Sequence, residues 1–484
     1  MWDEVLFTYF IAQKEAQLPK ELPVRKSLGA YHIALSEKTE CEVFCGKTAE
    51  IAVIGLCLPT SDDTPKWQEI VDSIHTPEDF LNAEKYMAGR YVLLVHIFGV
   101  GYYLVGDATC SIQINYCTGT KTVSSLVPFI VRDSNSKIDP LKQQAFQRKA
   151  ISCAMPSDIT VYEDVFALLP NHYLRLDSFQ AVRFHASAYP INSGTVEDCC
   201  AKTLERARYI CNEMDKRFDI VCPVTGGRDS RVVLALLREI KSDLKAFTMR
   251  HPAMGDDDQD LVVSAKLCKT IGQPHTIFPD VPLSAERVAF FDTLFGVGKY
   301  NKNSVVLGET IKSRYKGKTV INGDIIGQIG KASLHRDVPD KMMDARYYQC
   351  KAHNFGTTRY IKEWMADTKT EPNVERCDLF SWEHRMGRWA AKTSQTKDLC
   401  GINELNFFNC REIISLWTSI PRAFRKIGVI HDFFLGQIDP ALKEIPYEKS
   451  PFVFCIGKRN WLTMYLATFA KFYYQKMQFC LRRK

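Results

Sequence analysis

Residues 218–236 read FDIVCPVTGGRDSRVVLAL, and no other stretch limits the fold so tightly. The apolar run Phe218–Val224 predicts a buried strand. Thr225-Gly226-Gly227-Arg228-Asp229-Ser230 follows as a turn, and Val232, Val233, Leu234 and Leu236 open a helical pattern. A strand, a glycine turn and a helix start make an anion cradle. Glycines let backbone N–H groups approach an anion, and a helix N-terminus favours negative charge. Thr225 and Ser230 add hydroxyl donors, and Asp229, which would repel a bare phosphate, is expected to hold a Mg2+ that the phosphates share. No Gly-Lys-Ser/Thr follows, so this is not the phosphate loop of kinases. The plainer alternative is a glycine turn joining a core strand to a core helix.

The surroundings of this segment predict an α/β protein. The first ~185 residues read as β-rich: Tyr91–Ile97 and Tyr102–Val105 flank Gly99-Val100-Gly101, a hairpin signal, and Tyr173–Leu176 is a further strand. Residues 186–194 are small, polar and turn-rich and mark a boundary, which gives domains at 1–187 and 195–484. Thr195 then caps a helix with Asp198 three residues on. Leu244–Met249 and Thr319–Asn322 read as strands, and Leu261–Ile271 as a helix capped by Asp260. Alternating strands and helices mean a parallel, doubly wound sheet with ligands at the strand C-termini. The part beyond about residue 340 reads as mostly helical.

A net charge of +7 suits an anionic substrate without calling for nucleic acid. Seventeen scattered cysteines with no C-x-x-C pair read as free thiols in a reducing compartment. No apolar run reaches the ~18 residues of a spanning helix, and the first residues are acidic where a signal peptide would be basic, so a cytoplasmic location is expected.

Together these features resemble the asparagine synthetase family. Residues 225–230 resemble the Ser-Gly-Gly-x-Asp-Ser PP-loop of ATP pyrophosphatases, with Thr225 for the first Ser. Ala88-Gly89-Arg90, Asp107-Ala108-Thr109 and Ala167–Leu174 resemble stretches of the family's N-terminal glutaminase-type domain. Lys245–Arg250, Asp260 with its helix, and His275 follow in the family's order. Asn322-Gly323-Asp324 stands at its second nucleotide loop, and Ile445-Pro446-Tyr447-Glu448-Lys449 resembles its C-terminal phosphate-binding segment.

The resemblance implies a β-rich, glutaminase-like (Ntn-type) sandwich followed by a doubly wound PP-loop synthetase domain with a helical C-terminal part. It implies an enzyme that adenylates a carboxylate with ATP and Mg2+, releases pyrophosphate, and passes the acyl group to an amine. Residues 225–230 and Gly323 would hold ATP phosphates, with Asp229 on the metal. Main chain at Val224 and Met249 would meet adenine, and Lys449 would neutralise pyrophosphate. Asp324 would deprotonate the amine, with Glu383 as a weaker supporting candidate. For Asp324 the alternative is a turn aspartate, and for Glu383 a salt-bridged helix face.

Three departures bear on that reading. Residue 2 is Trp where family glutaminases carry a nucleophilic Cys, so glutamine hydrolysis is not expected and the amine would be ammonia or a substrate amine. The family's second Mg2+ acid falls at Gly327, and Asp324 or an acid in Asp256–Asp258 would have to compensate. Arg228 and Arg231 flank Asp229 and add positive charge, the second alternatively facing solvent. β-Lactam synthetases and lasso-peptide cyclases also lack the cysteine, so cyclisation and intermolecular amidation both stay open. Small-molecule, sugar-acid and peptide carboxylates are all candidate substrates, and a homodimer is a candidate assembly. A degenerate scaffold subunit is the non-enzymatic alternative. A PP-loop enzyme acting on tRNA fits less well, because no basic RNA-binding module is visible. Residues 458–484 are basic at both ends and aromatic within, which reads as a helix packed on the core or as an interfacial membrane contact.

Overall fold

The computed structural model describes residues 2–132, 134–147, 155–184, 194–296, 300–334, 338–352, 357–371, 373–447 and 461–481. Twelve strands build the N-terminal part: β1 (Tyr9–Ala12), β2 (Val24–Leu28), β3 (Tyr31–Leu35), β4 (Cys41–Cys45), β5 (Ala49–Pro59), β6 (Met87–Ile97), β7 (Gly101–Gly106), β8 (Asn115–Cys117), β9 (Thr122–Ser124), β10 (Val165–Ala167), β11 (His172–Arg175) and β12 (Gln180–Arg183). They pair antiparallel in two six-stranded sheets ordered β10-β8-β9-β1-β3-β2 and β12-β11-β7-β6-β5-β4. Ile11 and Ile33 of one sheet meet Ile54, Val92 and Leu94 of the other in a shared core. The opposite face of β5 and β6 is covered too, with Val53, Leu93 and Val95 packed against Ile70, Val71 and Phe80 of two short helices. Burial on both faces explains why these strands read as unbroken apolar runs instead of alternating ones.

The C-terminal part is built on five parallel strands, β13 (Ile220–Pro223), β14 (Lys245–Arg250), β15 (His275–Pro279), β16 (Thr319–Ile321) and β17 (Asn403–Leu405), in the order β15-β14-β13-β16-β17. The chain runs outward from β13 through β14 to β15, then returns to lay β16 on the other side of β13. The winding therefore reverses between β13 and β16, where ligands of open parallel sheets bind. The helix Val196–Asp215 starts with the expected capping box, Thr195 accepting from Asp198 N–H and Asp198 accepting from Thr195 N–H. The Gln259–Thr270 helix differs from expectation: Asp258 is its cap, accepting from Asp260 N–H at 2.9 Å. Asp260 is thereby free to turn its carboxylate elsewhere.

The two parts share one hydrophobic core, in which Leu56, Leu58 and Ala88 pack with Phe408, Cys410 and Ile413. Buried ion pairs cross the same seam. Arg90 donates to both oxygens of Asp398 at 2.8 Å, and Arg411 donates to Glu84 at 2.7 Å and to Gly106 O at 2.9 Å. Arg183 donates to both Glu383 oxygens at 2.6 and 3.0 Å. The proposed boundary near residues 188–194 falls almost entirely outside the described residues.

In the helix Trp461–Leu481, Tyr465 stacks on Tyr347 at 5.9 Å and Phe469 lies against the same ring, while Leu466 and Tyr474 are exposed. One face of the aromatic stripe is thus core. Among the described residues no helix is long and apolar enough to cross a membrane. The described cysteines are free thiols, most of them buried.

Removing one member of a buried ion pair leaves the other charge uncompensated. Glu383→Gln is therefore expected to lower unfolding stability by about 3 kcal/mol, read from urea denaturation midpoints. Asp367, 2.5 Å from Arg183 Nε, is the second carboxylate on that guanidinium, and an unchanged midpoint would show that it suffices alone.

Candidate nucleotide site

β13 ends at Pro223, and the chain turns through residues 224–227 into the helix Arg228–Ile240, with Gly227 at its N-cap. The loop is held by its own polar groups. The hydroxyls of Thr225 and Ser230 lie 3.0 Å apart, and Thr225 N–H donates to Ser230 Oγ at 3.1 Å. Gly226 N–H donates to the Asp260 carboxylate at 2.7 Å, so an anionic side chain already occupies one donor of the cradle. The main chain at Val224 is engaged as well: its N–H donates to Phe247 O at 2.8 Å, and its carbonyl accepts from Thr248 Oγ1 at 2.6 Å. Met249 pairs with Phe278 in the sheet beside it.

Asp229 is the centre of the site. Lys331 Nζ lies 2.7 Å from one of its oxygens, and His431 Nε2 lies 2.8 Å from the other. Burial works to raise its acid, but the His431 hydrogen bond and the Lys331 charge together hold it below the usual carboxylate range. Gly327 closes over this carboxylate, and a Cβ there would come within 2.7 Å of Asp229 Oδ2. Gly323 is close as well, a Cβ there meeting the Asp229 carbonyl oxygen at 3.1 Å.

These residues do not fit a protein-held Mg2+. Such a site wants one or two carboxylates with open oxygens. Here the single carboxylate is shared between an ammonium and an imidazole, and no group of three metal-capable side chains exists among the described residues. Two of the acids expected to compensate have other partners: Asp256 pairs with Arg250 at 2.8 Å, and Asp258 caps its helix. A Mg2+ shared with phosphates at Asp229 would have to compete with Lys331 and His431 for that carboxylate. Positive charge at this position comes from Lys331.

The two arginines beside Asp229 differ from each other. Arg228 is partly exposed, donates to Ile427 O at 3.1 Å and sits 4.5 Å from the Tyr447 ring centre. Gly428, with φ of +93°, leaves it room, since a Cβ there would overlap its Nη1. Arg231 is fully buried instead of facing solvent. It donates to the carbonyls of Gly226, Leu442, Ile445 and Pro446 and covers the other side of Tyr447 at 4.1 Å. The 442–447 segment is thereby tied to the loop. Lys449, two residues further on, lies outside the described residues.

Asp324 follows β16 and opens on a narrow recess shared with Asn322, Glu404 and Asn406 of the C-terminal part and with Arg90, Thr109 and Ser111 of the sandwich. The residue stays solvent-reachable at the rim of this recess. Burial, with the charges of Glu404 and Asp229 in the same direction, pushes its acid up to about 6, against an opposing pull from Lys397. Glu383 does not join it: its oxygens accept from Arg183, Asn171 Nδ2 and Trp364 Nε1. A fully buried carboxylate with four donors is a structural anchor, in keeping with the salt-bridged alternative.

Sequence reasoning missed Lys331, His431 and the second task of Asp260. Lys331 follows Gly327 by four residues, a spacing that could have been noticed. His431 is 202 positions from Asp229 and carries no local signal.

Comparison with protein-family models gives no match, and comparison with curated proteins gives none. Among solved structures, the chain is similar to a glutamine-dependent NAD+ synthetase from Acinetobacter baumannii in complex with adenosine diphosphate. Identity is 11% and the TM-score 0.21, over 41% of this chain and 44% of that chain. The match spans less than half of that enzyme, so the functional reading rests on the geometry of the site alone.

Because Asp229 is the shared acceptor of Lys331 and His431, Asp229→Asn is expected to lower stability by about 1–3 kcal/mol. Titration with MgCl2 in the absence of nucleotide is expected to give no saturable heat. A stoichiometric Mg2+ isotherm lost in Asp229→Asn would contradict the charge balance described above.

Proposed function

We propose that the chain is an ATP-dependent ligase that joins a carboxylate to an amine, with release of pyrophosphate and AMP. The observation that supports it best is the meeting of two loops at the switch point of the parallel sheet. The 224–230 loop after β13 and the 322–327 loop after β16 pack closely, so that a Cβ at 327 would come within 2.7 Å of Asp229 Oδ2 and one at 323 within 3.1 Å of Asp229 O. A helix N-terminus, two hydroxyls and a lysine meet there, and Asp324, whose pKa is raised to about 6, stands beside them on the 322–327 loop.

In this reading the hydroxyls of Thr225 and Ser230, with Lys331 and Arg228, receive the phosphates. Gly226, Gly227 and Gly323 let the phosphates approach the main chain, and Val224 and Met249 lie where adenine would rest. Lys449 is part of the same proposal. A carboxylate oxygen attacks the α-phosphorus, the bond to the bridging oxygen breaks, and pyrophosphate leaves. The amine nitrogen then attacks the acyl carbon, the C–O bond to AMP breaks, and the amine proton passes to Asp324. A base with a pKa near 6 is matched to that transfer. In this reading the nitrogen comes from ammonia or a substrate amine.

The self-satisfied loop favours a second reading, a degenerate binding or scaffold subunit. Gly226 N–H and both Asp229 oxygens already have partners within the protein.

Pyrophosphate–ATP exchange across aspartate, uronic acids and acidic peptides separates the readings. A ligase shows exchange that depends on one acid and falls at least about tenfold in Lys331→Met. Absence of exchange together with absence of ATP binding by calorimetry would leave the scaffold reading. Asp324 must lose its proton to act as a base. Amide formation is therefore expected to rise as pH passes through about 6. In Asp324→Asn, amide formation falls while exchange persists. Loss of both reactions in that variant would place Asp324 in adenylation instead.

A further inference from the structure

Away from the nucleotide crevice, a cavity of about 800 Å3 lies between the sandwich and the helix Ala285–Phe295. Its size is that of a small-molecule pocket. Trp2 forms one wall, with its ring 5.3 Å from Phe129 and 5.6 Å from Phe290. Phe146 and Met155 continue the apolar lining.

One side chain in this lining is out of keeping with the rest. Arg388 is only 6% exposed, yet no carboxylate among the described residues lies within ion-pair distance of it. Its Nε donates to Met155 O at 3.3 Å and its Nη2 to Ile159 O at 2.9 Å, both neutral carbonyls. Its Nη1 has no hydrogen-bond partner among the described residues. Burial pulls the guanidinium down to about 10, with Asp158 acting on it only at longer range. A guanidinium has five N–H donors, and buried charges are ordinarily paired. Lys392 lies one helical turn on, over the Phe295 ring at 4.2 Å, and adds positive charge to the same end.

The lining is mostly apolar but also holds Glu21, which pairs with Arg132 at 2.5 Å, and Glu286, which is exposed; neither lies within ion-pair distance of Arg388, which is left without a counter-ion among the described residues. We propose that this cavity is a binding site for an amphipathic carboxylate, with its acid group on Arg388 and its apolar body against Trp2, Phe129 and Phe290. The helical segment 381–399 separates it from the Asp324 recess: Arg388 and Lys392 face the cavity, whereas Met386, Ala390 and Ser394 face the recess. The site is therefore distinct from the nucleotide crevice and does not rest on the ligase reading.

The test titrates the full chain with decanoate and, separately, with decan-1-ol, by calorimetry below micelle-forming concentrations. Two variants run alongside: Arg388→Met, and Thr293→Trp, which fills the cavity from an exposed helix position. The expected result is one decanoate per chain, bound about tenfold or more tighter than the alcohol, the range of one charge-assisted hydrogen bond. Thr293→Trp should abolish binding of both while ATP binding is unchanged, and Arg388→Met should erase the preference for the acid. No saturable binding, equal affinity for acid and alcohol, or undiminished binding by Thr293→Trp would each overturn the proposal. Should Arg388→Met fail to fold, the acid-to-alcohol ratio of the wild type and the Thr293→Trp result decide the matter.

Discussion

Buried guanidinium groups must be compensated, and this molecule is assembled around how they are. A buried arginine without a partner is costly, so each one draws specific carboxylates or carbonyls from distant parts of the chain. Arg90 requires Asp398, Arg411 requires Glu84, Arg183 requires Glu383, and Arg425 takes both Asp378 oxygens at 3.2 and 2.5 Å. The first three pairs span the seam between sandwich and parallel sheet. They fix how the two parts meet more specifically than the apolar contacts around them could, because hydrophobic packing is non-directional and bidentate pairs are not.

Arg231 extends the same logic to the crevice. It sits in the first turns of the helix that follows the glycine loop, but it points away from the loop mouth and collects four backbone carbonyls. Three of these belong to the segment 442–446, so that segment cannot leave without stranding a buried charge. Tyr447, held between Arg231 and Arg228, then limits where Arg228 can lie. The positive field at the crevice is thus positioned by a residue that does not face it. Asp229 answers the remaining charge by pairing with Lys331 and His431, and glycine at 327 leaves those partners room.

What could be read from sequence follows from how local each cause is. The strand–glycine–helix unit at 218–236 and the Thr195 capping box depend on neighbours within a turn, and both were legible. The doubly wound sheet followed from alternation alone. Boundaries moved where one carboxylate had two candidate tasks: Asp258 caps the helix, which releases Asp260 to the Gly226 N–H. The burial of Arg231 was not legible, because the carbonyls it serves lie more than two hundred residues away. Glu383 read as a weak supporting acid or a salt-bridged helix position; the ion pair is with Arg183, and only the fold brings Arg183, Asn171 and Trp364 to it.

These interactions also give the sandwich a role that needs no hydrolytic nucleophile. The motifs that resemble a glutaminase-type domain place Gly89, Arg90 and Asp107 on the seam, where Asn409 donates to Gly89 O at 2.6 Å and to Asp107 at 2.9 Å. Arg90 and Ser111 line the recess in which Asp324 titrates. Taking the sandwich away would leave Asp398 and Glu383 as unpaired buried acids and would open that recess to water. The charges that act on Asp324, those of Glu404, Asp229 and Lys397, all belong to the C-terminal part, and the sandwich contributes a wall of the recess. Arg388, like Arg231, donates only to carbonyls, but unlike Arg231 it stands in the wall of a cavity, where a bound anion would complete the pairing that the other arginines have.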